Sequence, residues 1–151
     1  MKSIQIGRSL VFFTILFMQC FNFQNVYSMM STEKLSPCPD SPNCVSSQAD
    51  DEHHFIAPFI YTGTLPEAQK NLISILQSIP RARIISIERN SIQVEFTSAL
   101  FRFIDDAEFY FPENENLIHV RSASRVGYYD FGVNRTRLER IRKLLRAESP
   151  P

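Results

Sequence analysis

"FRFIDDAEFYFPENENLIHVRSAS", Phe101–Ser124, decides the fold. Phe101, Phe103, Ala107, Phe109 and Phe111 share one parity, and beyond a turn-forming stretch Ile118 and Val120 alternate with His119 and Arg121. Period-two alternation of this kind marks strands with one covered face. A turn at Asn114-Glu115 pairs Phe111 with Ile118 and Phe109 with Val120. A slip of one residue would set apolar against polar, so the pattern fixes register as well as element type.

The same reasoning extends upstream. Ile85 and Ile87 alternate with Ser86 and Glu88, and Ile92, Val94 and Phe96 with Gln93, Glu95 and Thr97. A two-residue turn at Arg89-Asn90 pairs Ile87 with Ile92 and Ile85 with Val94. A tight connection at Ser98-Ala99 pairs Phe96 with Phe101. "FIAPFIY" (Phe55–Tyr61) reads as a short strand that Pro58 confines to a sheet edge.

Two helices flank the meander. Thr64 and Glu67 form a capping box with Pro66 in the first turn. Ala68, Leu72, Ile75, Leu76 and Ile79 make one stripe, and Pro80 ends it. A second helix starts near Asn134, read as its N-cap with Val133 stapled to Leu138. Leu138, Ile141, Leu144 and Leu145 face inward, with Arg140, Arg142, Lys143 and Arg146 opposite. The expectation is an α+β domain over residues 55–147, a four-stranded antiparallel meander covered on one face by two helices. Residues 29–54 read as an irregular lead segment carrying a cysteine loop, and residues 148–151 as a tail.

Residues 1–28 read as a signal peptide. Lys2 and Arg8 precede "LVFFTILFM" (Leu10–Met18), which is too short to span a bilayer, and Val26 and Ser28 suit cleavage after Ser28. Lipid attachment at Cys20, in a poor lipobox, and an uncleaved N-terminal membrane anchor are the rivals. Cleavage removes two of 16 basic groups and none of 16 acidic ones, giving a net charge of −2. An exported, near-neutral domain without a membrane span is a poor nucleic-acid binder, and a periplasmic or secreted location is expected. In that compartment Cys38 and Cys44, in "CPDSPNC", read as a disulfide. The alternative is a metal pair, which lacks a matching second Cys/His pair.

The strand register exposes an anomaly. It places Ala107 opposite Ser122 and Asp105 opposite Ser124, so one end of the covered face turns polar. A buried aspartate needs a partner, and Arg125 and Arg135 are the natural ones. The plain alternative is a bulge that turns Asp105 into water. On the outer face Glu108 falls opposite Arg121, read as a surface ion pair, and Tyr110 opposite His119.

"GYYDFGVN" (Gly127–Asn134) is a turn and a helix cap, with Gly127 and Gly132 free to take positive φ and Asp130 able to bond backbone amides. The alternative reading is an anion pocket. There the helix amides, Arg125, Arg135, Ser122 and Ser124 would converge on a carboxylate or phosphate, with Asp105, Asp130 and Asn134 beside them. No serine elbow, metalloprotease helix or glycine-rich phosphate loop is present. No catalytic residue, metal ligand or cofactor is assigned. Asp105 and Asp106 alternate to opposite faces, which argues against a shared cation.

"SPCPDSPNCVSSQ", "PRARI", "FRFIDDAEFYF" and "IHVRSASRVGYYDFGVNRTRLERIR" together resemble the domain-of-unknown-function family numbered 1499, of bacterial envelope and some chloroplast proteins. The resemblance runs from about Leu35 to Leu145. It implies that the Cys38–Val45 block and the Asp105/Arg121–Arg135 block belong to one design and meet in space. "YYD" stands where the family often has a small residue before the Asp, which would narrow a site there. The expected role is a non-catalytic module that binds an anionic small ligand or an envelope partner. The alternatives are an envelope hydrolase using Asp105 or Asp130 as acid or base, and a purely structural module.

Overall fold

The computed structural model describes residues 35–148, and the expected signal peptide lies outside them. The elements are β1 (Cys44–Ser46), β2 (Phe59–Ile60), α1 (Leu65–Ser78), β3 (Ala82–Ile87), β4 (Ser91–Thr97), β5 (Ile104–Tyr110), β6 (Leu117–Ser124) and α2 (Val133–Glu148). The architecture is α+β with an antiparallel sheet and two helices, but the sheet has six strands rather than four. β3 to β6 form the expected meander. β1 and β2 then share the far edge of β6, pairing with Arg121–Ala123 and with Leu117–Ile118 respectively. The lead segment is thus not wholly irregular: its Cys44–Ser46 supplies a buried edge strand.

The β5–β6 register is as read from the sequence, with Phe109 opposite Val120, Ala107 opposite Ser122 and Asp105 opposite Ser124. No bulge interrupts Asp105 and Asp106, which pair in step with Phe96 and Glu95. Two expectations upstream fail. A bulge at Ile85 brings Ile84, not Ile85, opposite Val94, while Ile87 keeps Ile92. The two-residue turn at Ser98-Ala99 is instead a longer loop, with Ser98 N–H bonded to Phe103 O and Phe96 opposite Asp105. Phe101 and Phe103 therefore lie past the end of the sheet, where no helix covers them, and are 70% and 51% exposed.

α1 begins as expected: Thr64 accepts from Glu67 N–H, and the Glu67 carboxylate accepts from Thr64 N–H at 2.9 Å. It buries Ala68, Leu72, Ile75 and Leu76, while α2 buries Leu138, Ile141 and Leu145, against Ile92, Val94, Phe109, Ile118 and Val120. Leu144 is left half-exposed at the helix margin. Arg142, expected on the solvent face, is only 6% exposed. Its guanidinium donates to Ala57 O and Pro58 O, lies 4.8 Å from the centre of the Phe59 ring and pairs with Glu139. A flat cation can be buried there because carbonyls satisfy its donors and an aromatic face receives its charge. No described helix is long and apolar enough to cross a membrane.

Candidate functional site

The covered face does turn polar at one end. Asp105 is 5% exposed. Its partner is neither Arg125 nor Arg135 but Arg137, whose guanidinium also donates to Asn134 Oδ1 at 2.7 Å and lies 4.6 Å from the Phe96 ring centre. Strand parity sends Arg125 to the outer face, where it bridges Asp106 and Glu95. Arg135 points back to the lead segment and donates to Phe55 O and His53 O.

Asn134 is the hub, and it is not the N-cap. Fully buried inside the first turn of α2, it accepts from Ser122 Oγ–H at 2.6 Å and donates to Ser124 Oγ, Asp130 Oδ2 and Asn43 O. Val133, the expected staple, is half-exposed. The cap position is Gly132, whose carbonyl accepts Thr136 N–H, and the Asp130 carboxylate just upstream serves the helix start by accepting from Gly132 N–H at 2.9 Å and from Asn134 N–H at 3.0 Å. Gly132, at φ +74, makes the turn that permits this. The anion expected at the helix start is therefore present, but it is the protein's own carboxylate.

Asn43 was missed in the sequence. It is 4% exposed, donates to Gly127 O and accepts from Ser124 N–H. It sits next to Cys44, which is bonded to Cys38, so the metal-pair alternative falls. The cysteine block and the Arg121–Arg135 block thus meet through Asn43. The sequence profile of a family described as "Protein of unknown function (DUF1499)" matches residues 34–145. The chain belongs to the DUF1499 family. A search of curated proteins finds no match to it.

In this DUF1499 domain the polar network is flanked by a cleft of about 470 Å³. Its polar lining is Arg81, Arg137, Arg140, Thr97, Ser98 and Thr136, and its apolar walls include Ile79, Phe96 and Phe131. No carboxylate lines it. Among the described residues, the non-glycine positions with positive φ are Arg81 (63°), Arg102 (60°) and Phe131 (54°). Two of them line the cleft, and the third lies in the adjoining 98–103 loop. Left-handed backbone at such residues costs on the order of 1 kcal/mol each, and strain of this kind gathers where function positions a side chain.

The outer face is more enclosed than a bare sheet. Glu108 and Arg121 pair at 3.0 Å, but Arg121 is held at 13% exposure because the lead segment crosses it and Pro37 O accepts from it. Arg83 and Arg125 together hold the Glu95 carboxyl below its usual range. Tyr110 stacks on His119, as their opposed positions implied. Ser47 Oγ lies 3.1 Å from His119 Nδ1, a serine–histidine contact the sequence did not suggest. Ser47 is 8% exposed and its oxygen already accepts Val120 N–H, so the contact fastens the edge of the sheet.

Proposed function

We propose that the domain is a non-catalytic binding module for a small anionic amphiphile, held in the cleft between α2 and the β4–β5 loop. The observation that carries this reading is the lining. Three arginines and three hydroxyls face apolar walls, with no acidic residue among them. The volume suits one small molecule. A phosphate or carboxylate head would take charge-assisted hydrogen bonds from Arg81 and Arg140, and a short apolar tail would lie against Ile79 and Phe131.

Against the hydrolase alternative stand the partners of its two candidate carboxylates. Asp130 is spent on the helix start and Asp105 on Arg137. The purely structural reading describes the Asp105–Asn134 network well but leaves the cleft unexplained. Export through residues 1–28, and so an envelope ligand, belongs to this proposal too; a disulfide accords with an oxidising compartment.

Decyl phosphate, kept below its micellar concentration, is the test. Calorimetric titration should show one site, and Arg140→Gln should weaken it at least tenfold, about 1.4 kcal/mol. Inorganic phosphate should bind more weakly than the amphiphile. Equal affinity of wild type and variant, or no heat at millimolar ligand, would remove the cleft from consideration.

A further inference from the structure

At the mouth of the cleft two loops project from the same end of the sheet. One leads into β5 and the other leaves β6, and they are joined where Arg125 N–H bonds Ile104 O at 3.0 Å. Their tips carry Leu100 (78% exposed), Phe101 (70%), Phe103 (51%), Tyr128 (74%), Tyr129 (58%) and Phe131 (86%). The rings are arranged in pairs, Phe101 on Phe103 at 5.6 Å and Tyr129 edge-on to Phe131 at 5.1 Å. Both loops contribute to the cleft wall, through Ser98 and Ala99 on one side and Phe131 on the other, so the patch is continuous. Soluble domains seldom leave an apolar patch of this kind bare.

Asp106 and Glu95, at the same end of the sheet, are paired with Arg125, and the charge left over is basic. Arg102 stands between two exposed phenylalanines, and Arg81 and Arg140 flank the cleft. The acidic residue within these loops, Asp130, is consumed at the helix start. Projecting aromatic tips within a basic rim match the interface of an anionic bilayer, where rings enter the headgroup layer and arginines meet the lipid charge. We infer that this end of the domain docks on an anionic membrane surface, with the loop tips inserted and the cleft mouth facing the headgroups. The inference goes beyond ligand binding in the cleft and does not require it.

The sequence contains no tryptophan, so a single Tyr128→Trp reports on the loop itself, whatever the apolar run at residues 10–18 does. Vesicles of phosphatidylcholine with 30% phosphatidylglycerol should shift its emission to the blue; phosphatidylcholine alone should not. Ile60→Trp, exposed on β2 at the opposite end of β6, should show no shift. Adding Phe101→Ser and Phe131→Ser to the loop reporter should abolish the shift. Removing Arg102 and Arg140 should weaken partitioning about fivefold per arginine. No shift from the Tyr128→Trp protein, equal shifts from both reporters, or a shift that survives loss of both phenylalanines would overturn the inference. So would a concentration-dependent dimer, broken by Phe131→Ser, in place of vesicle binding. Decyl phosphate titration of the Phe101→Ser protein, whose cleft lining is intact, reads the cleft separately, so failure at the membrane does not count as failure of the ligand site.

Discussion

Asp105 shows how much one residue's parity can carry. Its position among the β5 core residues places a carboxylate under the helices, and the strand keeps it there without a bulge. Its partner stays hidden as long as α2 begins at Asn134 with that residue as a cap. Yet Asn134 is four residues before Leu138, on the stripe that continues through Ile141 and Leu145. Followed one turn back, that stripe marks Asn134 as buried and brings Arg137 beside it. Asp105→Asn keeps the shape and removes the charge opposite Arg137. Breaking a buried pair costs roughly 3–5 kcal/mol, and solvent reaching Arg137 from the cleft should hold the loss to the lower end. Urea melts should show the destabilisation, and sulfate should restore part of it by entering beside Arg137. A variant that melts with the wild type would mean that the network does not depend on this charge.

Strands β4 to β6 and both helices were legible because each carries a clear period; β3 was placed but its inward face was misread, since Ile85 and Ile87 are exposed beside a bulge, and β1 was not read at all. "CVS" has one aliphatic residue and no alternation; it is a strand because β6 offers an open edge and the disulfide presents the segment to it. The aromatic loop misled for the opposite reason, since Phe101 and Phe103 carry core parity but lie beyond helical cover. The β1 edge is fastened by two histidines whose responses to pH oppose each other. Burial lowers the pKa of His119, against the pull of Glu115. The folded form then binds fewer protons than the unfolded one, and stability falls as pH drops below about 6.5 toward the folded value. A hydrogen bond to Asp51 raises the pKa of His54. Its contribution is complete below about 6.5 and is lost as pH rises through the raised value. Unfolding free energy between pH 5 and 8 should therefore peak near the ordinary histidine pKa. His119→Gln should flatten the acid limb and His54→Gln the alkaline one. Unchanged limbs in both variants would show that neither histidine is linked to folding.

For the whole molecule, the polar residues of the sequence divide into two assemblies that chain order does not separate. Ser122, Ser124, Asp130, Asn134 and Asp105 form a network that joins the cysteine loop, the sheet and α2, and its hydrogen bonds are made internally. The cleft beside it draws on Arg81 and Arg140, which lie far apart in sequence and converge only in the fold. No local motif could have announced that pairing. The central claim is that the first assembly holds the domain together and the second receives the ligand. A crystal structure of the protein with decyl phosphate tests this most directly. The account predicts the phosphate among Arg81, Arg140 and Thr136, with its alkyl chain toward Phe131 and the Asn134 hydrogen bonds unchanged. A phosphate held by Ser122, Ser124 and Asn134 in place of the Asp130 carboxylate, or an empty cleft at saturating ligand, would contradict it.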